Sequence, residues 1–330
     1  MTYKKYIGGY SHEGSSIYEV SFNSENNEFK IVSENNEVHN PIHLRRKENF
    51  LFVANELDDC ARISSFKISE DGSIKYLSSL DLSGSQTCDI TVFDNVVFGS
   101  NYGSGNIFTM VYDEEGMLTE VMSNIEHEGD EPRSHSTILS KNNQYLYEAN
   151  LGLDRIFCYR VFPEGIIQRI KEQPFVQMNE NEGPRQMSMS EDGKFLYVIS
   201  EFGNSVTQFS IDETSGKLTQ IDQLQLSDDV HAYGSDLHFG LNQDALYASI
   251  RGRDEIYHID VSQNSMRVVG IFTSGGHWPR SFQFSDDKKY VFVVNQHSNN
   301  VVVLNVDPDS GSLSVPIATL EILSPTTITV

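Results

Sequence analysis

The sequence predicts an all-β protein, a seven-bladed β-propeller of four-stranded antiparallel blades that forms a single domain over residues 1–330. Three observations predict it. A short run of aromatic and β-branched residues recurs seven times, a second alternating run follows each copy, and no helical stripe of useful length intervenes.

The recurring run is "KYIGGY" (5–10), "LFVANE" (51–56), "VFGSNY" (97–102), "LYEANL" (146–151), "LYVISE" (196–201), "LYASIR" (246–251) and "VFVVNQ" (291–296). Measured on the fifth residue of each copy (Gly9, Asn55, Asn101, Asn150, Ser200, Ile250, Asn295), the steps are 46, 46, 49, 50, 50 and 45 residues. This is the period of a propeller blade. After a turn rich in Gly, Asn, Asp and Ser comes the partner run: "SIYEVSF", "RISSFKI", "NIFTMVY", "RIFCYRV", "SVTQFSI", "EIYHIDV" and "NVVVLNV".

An earlier run precedes several copies across a polar hairpin turn: "HSTILS", "RQMSMS", "SDLHFG" and "RSFQFS". Fainter runs such as "EFKIVSE" (28–34) and "LTQIDQL" (218–224) supply the outer strand. The first copy lacks an innermost run, whereas "SPTTITV" (324–330) resembles one. The C-terminal strand is therefore expected to complete the N-terminal blade and close the ring, leaving no open edge.

With strands named A to D from the channel outward, the starts of A and the ends of B lie on one rim. Five positions before the end of each A run stand His135, Arg185, Ser235 and Arg280. The residues that follow the B runs are Tyr10, Glu56, Tyr102, Leu151, Glu201, Arg251 and Gln296. Four consecutive blades thus send His135, Arg185, Glu201, Arg251 and Arg280 to one mouth. Strand ends meet water and are often polar for that reason alone. Yet this chain holds only 24 basic residues against 47 acidic ones, and it sets three arginines and a histidine at equivalent inward positions. Guanidinium groups match carboxylate or phosphate oxygens, so an anionic ligand is expected. A His and a Glu beside them supply acid/base groups suited to ester hydrolysis.

The net charge of −23 argues against nucleic acid as a partner. Cys60, Cys88 and Cys158 are odd in number and lack CxxC spacing, which argues against a disulfide framework or zinc site and fits a reducing compartment. The lysines of the N-terminal stretch precede no apolar core, and no run reaches the roughly 18 apolar residues of a membrane span. A cytoplasmic protein with no membrane partner is expected. His39, His43, His231, His238 and His258 show no paired spacing with a carboxylate, so no metal is expected. "NYGSGN" (101–106) joins strands and opens no helix, so it is no phosphate loop. Asn101 and Tyr102 are read as rim residues that bind substrate with Gln296, and Trp278, the only tryptophan, as a wall of the mouth. Asp154 and Arg155 are read as a structural pair within a blade turn. A closed ring has no edge to pair, so a monomer is expected.

At these residues the sequence resembles the seven-bladed lactonase family, which includes propeller-type 6-phosphogluconolactonases and a fungal carboxy-cis,cis-muconate cycloisomerase. The likeness runs nearly end to end through "YIGGY", "NYGSGNI", "PRSHS", "NLGLDRIFCYRV", "GPRQM", "ISEFGNSV", "ASIRGRDEI" and "GHWPRSFQFS…VVNQHSNNVVV". The resemblance implies catalytic roles for His135, Arg185, Glu201 and Arg251. It also implies cofactor-free, metal-independent hydrolysis of 6-phospho-D-glucono-1,5-lactone to 6-phosphogluconate in the pentose phosphate pathway. The chain departs from the family beside these four: "PRSH" keeps only the second His of a His-Pro-His run, Gln186 replaces a His, and Asp236 replaces a Glu. His135 and Glu201 both remain candidates for general base, and Arg280 is assigned a distal phosphate or carboxylate. Two other readings stay open: a cycloisomerase acting on a carboxylated muconate, and a non-catalytic propeller that binds a partner on its rim.

Overall fold

In the computed structural model, which describes residues 1–11, 16–263 and 265–329, the chain forms seven antiparallel blades in a ring. The strands nearest the channel are Pro325–Thr329 in blade 1 and then Pro41–Lys47, Thr87–Phe93, Ser134–Leu139, Pro184–Met189, Tyr233–Phe239 and Pro279–Phe284 in blades 2 to 7. Each packs beside the next around the circle. Blade 1 is closed as the sequence predicts, with Pro325–Thr329 pairing Thr2–Gly9; Val330, the last residue of the predicted closing run, lies outside the described residues. The faint outer runs are strands Glu28–Asn35 and Leu218–Gln225. Blade 4 differs, since its outer strand is split into Ile167–Arg169 and Phe175–Gln177, both pairing Arg155–Val161. Among the described residues the one helical element is a 3₁₀ turn at Pro163–Gly165, and no helix is long and apolar enough to cross a membrane.

Blade spacing explains why the recurring run is apolar at nearly every position. Alternate side chains of a strand point to opposite faces, and in a propeller both faces are covered by neighbouring blades. In Phe195–Ser200, Leu196 and Val198 pack toward blade 4, while Tyr197 and Ile199 pack toward blade 6. Every inter-blade cleft holds a hydrophobic cluster, and the one between blades 7 and 1 joins Phe292, Val294, Val301 and Val303 to Ile7, Val20, Phe22 and Ile328. The ruler asparagines are internal ties. Asn55 donates to the His39 carbonyl (2.7 Å), Asn150 accepts from the Arg133 N–H (3.0 Å), and Asn295 donates to the Ser274 carbonyl (3.1 Å).

All seven innermost strands carry a β-bulge near their start. The pairing steps from Pro184↔Ser200 to Gln186↔Ile199, so Arg185 has no opposite residue; the same slip leaves out Ile42, Cys88, His135, Arg280 and Thr326, and in blade 6 Ser235 with Asp236. Pro stands directly before the bulged residue in four blades, at the first strand position, where no ladder hydrogen bond is lost. A bulge re-aims its side chain, here toward the channel.

The inner edge of each blade has no further strand to pair with, and side chains of the preceding blade take its backbone groups. The residue after the bulge accepts an N–H from the next blade: Ile90 to His43 Nδ1 (3.0 Å), Thr137 to Asp89 (3.1 Å) and Phe282 to Asp236 (3.1 Å). The bulged residue donates to the carbonyl of the next bulged residue: Cys88 to His135 (3.2 Å), Arg185 to Ser235, Ser235 to Arg280 (2.7 Å) and Thr326 to Ile42 (3.0 Å).

Closure by the C-terminal strand makes Ile328 as much a core residue as Leu196. Ile328→Ala should destabilise the protein by about 2–5 kcal/mol, as Leu196→Ala should. Urea unfolding of both variants checks this, and a near-neutral Ile328→Ala would mean that the closing strand is not held.

Candidate functional site

Hairpin geometry brings the two predicted rings together. The residue after strand B donates its N–H to the residue two positions ahead of the bulge: Glu201 to Gly183 (2.7 Å), Gln296 to Trp278 (3.0 Å), Tyr102 to Gln86 (2.9 Å) and Glu56 to Asn40 (3.0 Å). Arg251 pairs Tyr233 in the same way. The residues therefore stand in three layers around one mouth: the bulge ring, the ends of strand B, and a rim above.

Glu201 binds two arginines. Its Oε2 lies 2.9 Å from Arg185 Nε and 2.9 Å from Arg251 Nη2, so one carboxylate joins blades 5 and 6. Arg251 Nη2 also donates to the Gly234 carbonyl (3.1 Å). At Gly234 the blades meet closely enough that a Cβ would sit 2.2 Å from the Ser200 carbonyl. Burial alone would raise the Glu201 pKa, but the two guanidinium groups outweigh it and hold the carboxyl below its ordinary range. Burial likewise depresses Arg251, to about 10, so it remains a cation at neutral pH. The Nε–H of Arg251 is buried and faces no acceptor among the described residues, while Arg185 Nε is the atom that stands beside Glu201.

Arg280, in the neighbouring blade 7, anchors a second cluster. Its Nη1 donates to Gln296 Oε1 (3.2 Å) and Tyr10 Oη (3.4 Å), and its Nη2 stands 3.9 Å from Glu56 Oε2. Tyr10 donates to Glu56 (2.9 Å), so residues of blades 7, 1 and 2 meet here.

His135 differs from the other polar members of the bulge ring. Cys88, Arg185, Ser235 and Thr326 are engaged by the next blade's carbonyls and Arg280 by Gln296 and Tyr10, whereas the buried His135 Nδ1 bonds no other residue among those described and has only its own backbone beside it. Desolvation pushes its pKa well below the usual histidine value, and Arg185, Arg280 and Arg251 push it further, so the imidazole is neutral. Tyr102 meets it edge-on, ring centres 5.9 Å apart.

Trp278 stands on the rim, 5.2 Å from the Arg251 guanidinium carbon and stacked on His297 at 4.6 Å. Asn101 is placed elsewhere: it is fully buried in blade 3, accepting from Thr87 (2.8 Å) and donating to Asn106 (3.1 Å), and takes no part in the mouth. Asp154 does not pair with Arg155 but accepts the N–H groups of Asn181 (2.9 Å) and Gly183 (2.7 Å), pinning the loop that enters blade 5. Asp236 is a strut between blades, bonded to Ser281, Phe282 and His238. Sequence reasoning passed over Tyr233 and Arg133 on the rim; counting two residues back from each bulge finds both.

The bulge ring itself, with His135, Arg185 and Arg280, lines a cavity of about 40 Å³ whose other walls include His43, Asp89, Gln186, Asp236 and His238. That space takes a few waters and no sugar ring, so a substrate is confined to the mouth. Cys88 offers no nucleophile, since burial pushes its thiol up to about 12. Among the described residues no three His, Cys, Asp or Glu side chains converge as metal ligands.

Glu201→Gln removes the charge that two buried guanidinium groups share and should destabilise the protein by about 3 kcal/mol near neutral pH. Because the folded carboxyl titrates below its ordinary value near about 4.3, its contribution is present above that pH and is lost as pH falls through the folded value. The stability gap between wild type and Glu201→Gln in urea should therefore close on acidification.

Comparison with known proteins agrees with this architecture. The chain is 24% identical over 341 residues to a 6-phosphogluconolactonase of Bacillus subtilis, covering 98% of this chain and 97% of the relative. It is 25% identical over 332 residues to a protein of the same name from Formosa agariphila, with 93% and 94% covered. Its fold superposes on a periplasmic gluconolactonase of Pseudomonas aeruginosa with a TM-score of 0.93 at 24% identity, covering 100% of this chain and 99% of that one. The family model described as lactonase, 7-bladed β-propeller, matches residues 4–330, and the chain belongs to that family.

Proposed function

We propose that the protein hydrolyses a sugar lactone, 6-phospho-D-glucono-1,5-lactone in preference to its unphosphorylated analogue, at the mouth formed by His135, Arg185, Glu201, Arg251 and Arg280. The observation that carries the reading is the neutral His135 imidazole, hydrogen-bonded to no other residue, among three arginines. A neutral imidazole accepts a proton, and cations around it stabilise negative charge as it develops. The names of the Bacillus and Pseudomonas relatives agree with a lactone substrate. The cationic mouth of a chain with net charge −23 favours the phosphorylated one.

The chemistry follows from the groups present. His135 takes a proton from a water whose oxygen bonds to the lactone carbonyl carbon. The carbonyl oxygen becomes an oxyanion facing the guanidinium groups of Arg185 and Arg251. Collapse breaks the ring C–O bond, and the imidazolium returns its proton to the departing ring oxygen, giving the open hydroxy acid. Glu201 is a poor base here because two guanidinium groups stabilise its ionised form. Its part is to hold Arg185 and Arg251 at 2.9 Å. Arg280 and Gln296 line the other side of the bound ring, and Trp278 walls it above Arg251. No step calls on a cofactor.

Freshly prepared 6-phosphogluconolactone, followed by proton release or a coupled dehydrogenase, tests the reading. His135→Ala should lower kcat by about 10²–10⁴-fold. Wild-type hydrolysis no faster than the uncatalysed rate refutes the activity, and a rate that survives His135→Ala refutes the site. The acid limb of wild-type kcat/KM should lie below about pH 6.5, because His135 loses its basic form only when protonated and its folded pKa is depressed.

A further inference from the structure

The rim carries a second, uneven layer of chemistry above the bulge ring. Two residues ahead of each bulge stand Asn40, Gln86, Arg133, Gly183, Tyr233, Trp278 and Ser324. Hydrogen bonds and pairing to the ends of strand B hold all seven at one level, Leu151 N–H to the Arg133 carbonyl (2.8 Å) among them. Five of these positions have positive φ: Asn40 (44°), Gln86 (55°), Gly183 (62°), Trp278 (69°) and Ser324 (43°). Small or polar residues tolerate that backbone, but a tryptophan there is strained and persists only where its surroundings over-determine it. Asp254 supplies that constraint by accepting the Trp278 N–H (2.8 Å), and His297 by stacking on the indole. Tyr233 lies 5.7 Å from the indole, so blades 6 and 7 present an aromatic wall over Arg251.

Gly183 adds no side chain above Arg185 and Glu201. In the preceding blade 4, Arg133 donates to Tyr102 Oη (2.9 Å), and its guanidinium lies over the tyrosine ring at 5.1 Å. The same Tyr102 ring meets His135 edge-on. The only carboxylate within ion-pair distance of Arg133 among the described residues is Glu131 at 3.1 Å, whose side chain is 80% exposed. A pair of that kind is weak and readily exchanged. Arg280, in contrast, is largely buried and tied to Glu56, Tyr10 and Gln296. A dianionic phosphate is costly to strip of water, so it suits a cation at the rim better than one a layer below.

We propose that Arg133, rather than Arg280, binds the anionic arm of the substrate as a specificity-determining residue. Tyr102 aligns it, and the lactone ring lies between His135 and the Tyr233–Trp278 wall. This rests on the lactonase reading and adds the group that distinguishes a phosphorylated lactone from a neutral one. Arg133 stands two residues ahead of His135 in the "PRSH" stretch, so one short segment supplies both groups.

The test compares wild type, Arg133→Gln and Arg133→Lys on 6-phosphogluconolactone and glucono-1,5-lactone. Binding of the stable acids 6-phosphogluconate and gluconate is followed in parallel by fluorescence of Trp278, the only tryptophan. Arg133→Gln should cut the wild-type preference for the phosphorylated lactone by about ten-fold or more, chiefly through KM, and cut the preference for 6-phosphogluconate equally. Arg133→Lys should restore part of both. A preference that survives Arg133→Gln, or an equal loss on both lactones, overturns the proposal. If wild type hydrolyses neither lactone, the lactonase reading fails by itself and binding decides. A phosphate preference lost in Arg133→Gln then still supports the arm, and a preference retained or never present overturns it.

Discussion

The innermost strand of a propeller blade has an edge with no strand beyond it, and the backbone groups on that edge must find partners from the blade alongside. The rest of the architecture depends on how this is solved. His43, Asp89 and Asp236 each accept an N–H from the following blade, and Cys88, Arg185, Ser235 and Thr326 each donate to a following carbonyl. These side chains reach across because a bulge at every strand start turns one residue toward the channel. The same device that closes the ring also fills its mouth.

The site follows from where that solution is left incomplete. At the bulge ring, Arg280 turns away from the next carbonyl toward Gln296, Tyr10 and Glu56, and His135 Nδ1 reaches no residue of the next blade. Arg185 is held from both sides, by the Ser235 carbonyl and by Glu201. The charges that sit closest to His135 are therefore fixed by the frame, with little left to reorganise as charge develops in a reaction. An acidic chain thereby keeps a cationic mouth, because the carboxylates inside it each face an arginine. Desolvation and that cationic field act in the same direction on the imidazole and keep it neutral.

Much of this was legible in the residues. The seven repeats and the closing run at 324–330 are read directly from apolar alternation, and hairpin logic alone brings Arg185 and Glu201, sixteen residues apart in "GPRQMSMSEDGKFLYVISEFGNSVTQF", to one mouth. Three things were not legible. Asn101 stands next to a rim residue in sequence, but alternation along the strand turns it into the blade, where Thr87 and Asn106 hold it. The reach of Asp154 and Asp236 into the following blade depends on inter-blade distances that no local pattern encodes. The bulge hides Ile42, Cys88 and Thr326 as members of the same ring as His135, because their side chains share no chemistry. Proline directly before the bulge marks four of the seven blades and would have aligned Ile42 and Thr326 with Arg185 and Arg280.

The central claim is that the frame holds a neutral imidazole, hydrogen-bonded to no other residue, among three arginines. The direct measurement is an NMR titration of the His135 ring, assigned by loss of its signal in His135→Asn, on the wild-type protein without ligand. The account predicts a neutral ring throughout the range above about pH 6.5, with protonation only well below it, as burial and the neighbouring guanidinium groups require. A His135 that titrates at or above the ordinary histidine value would contradict it.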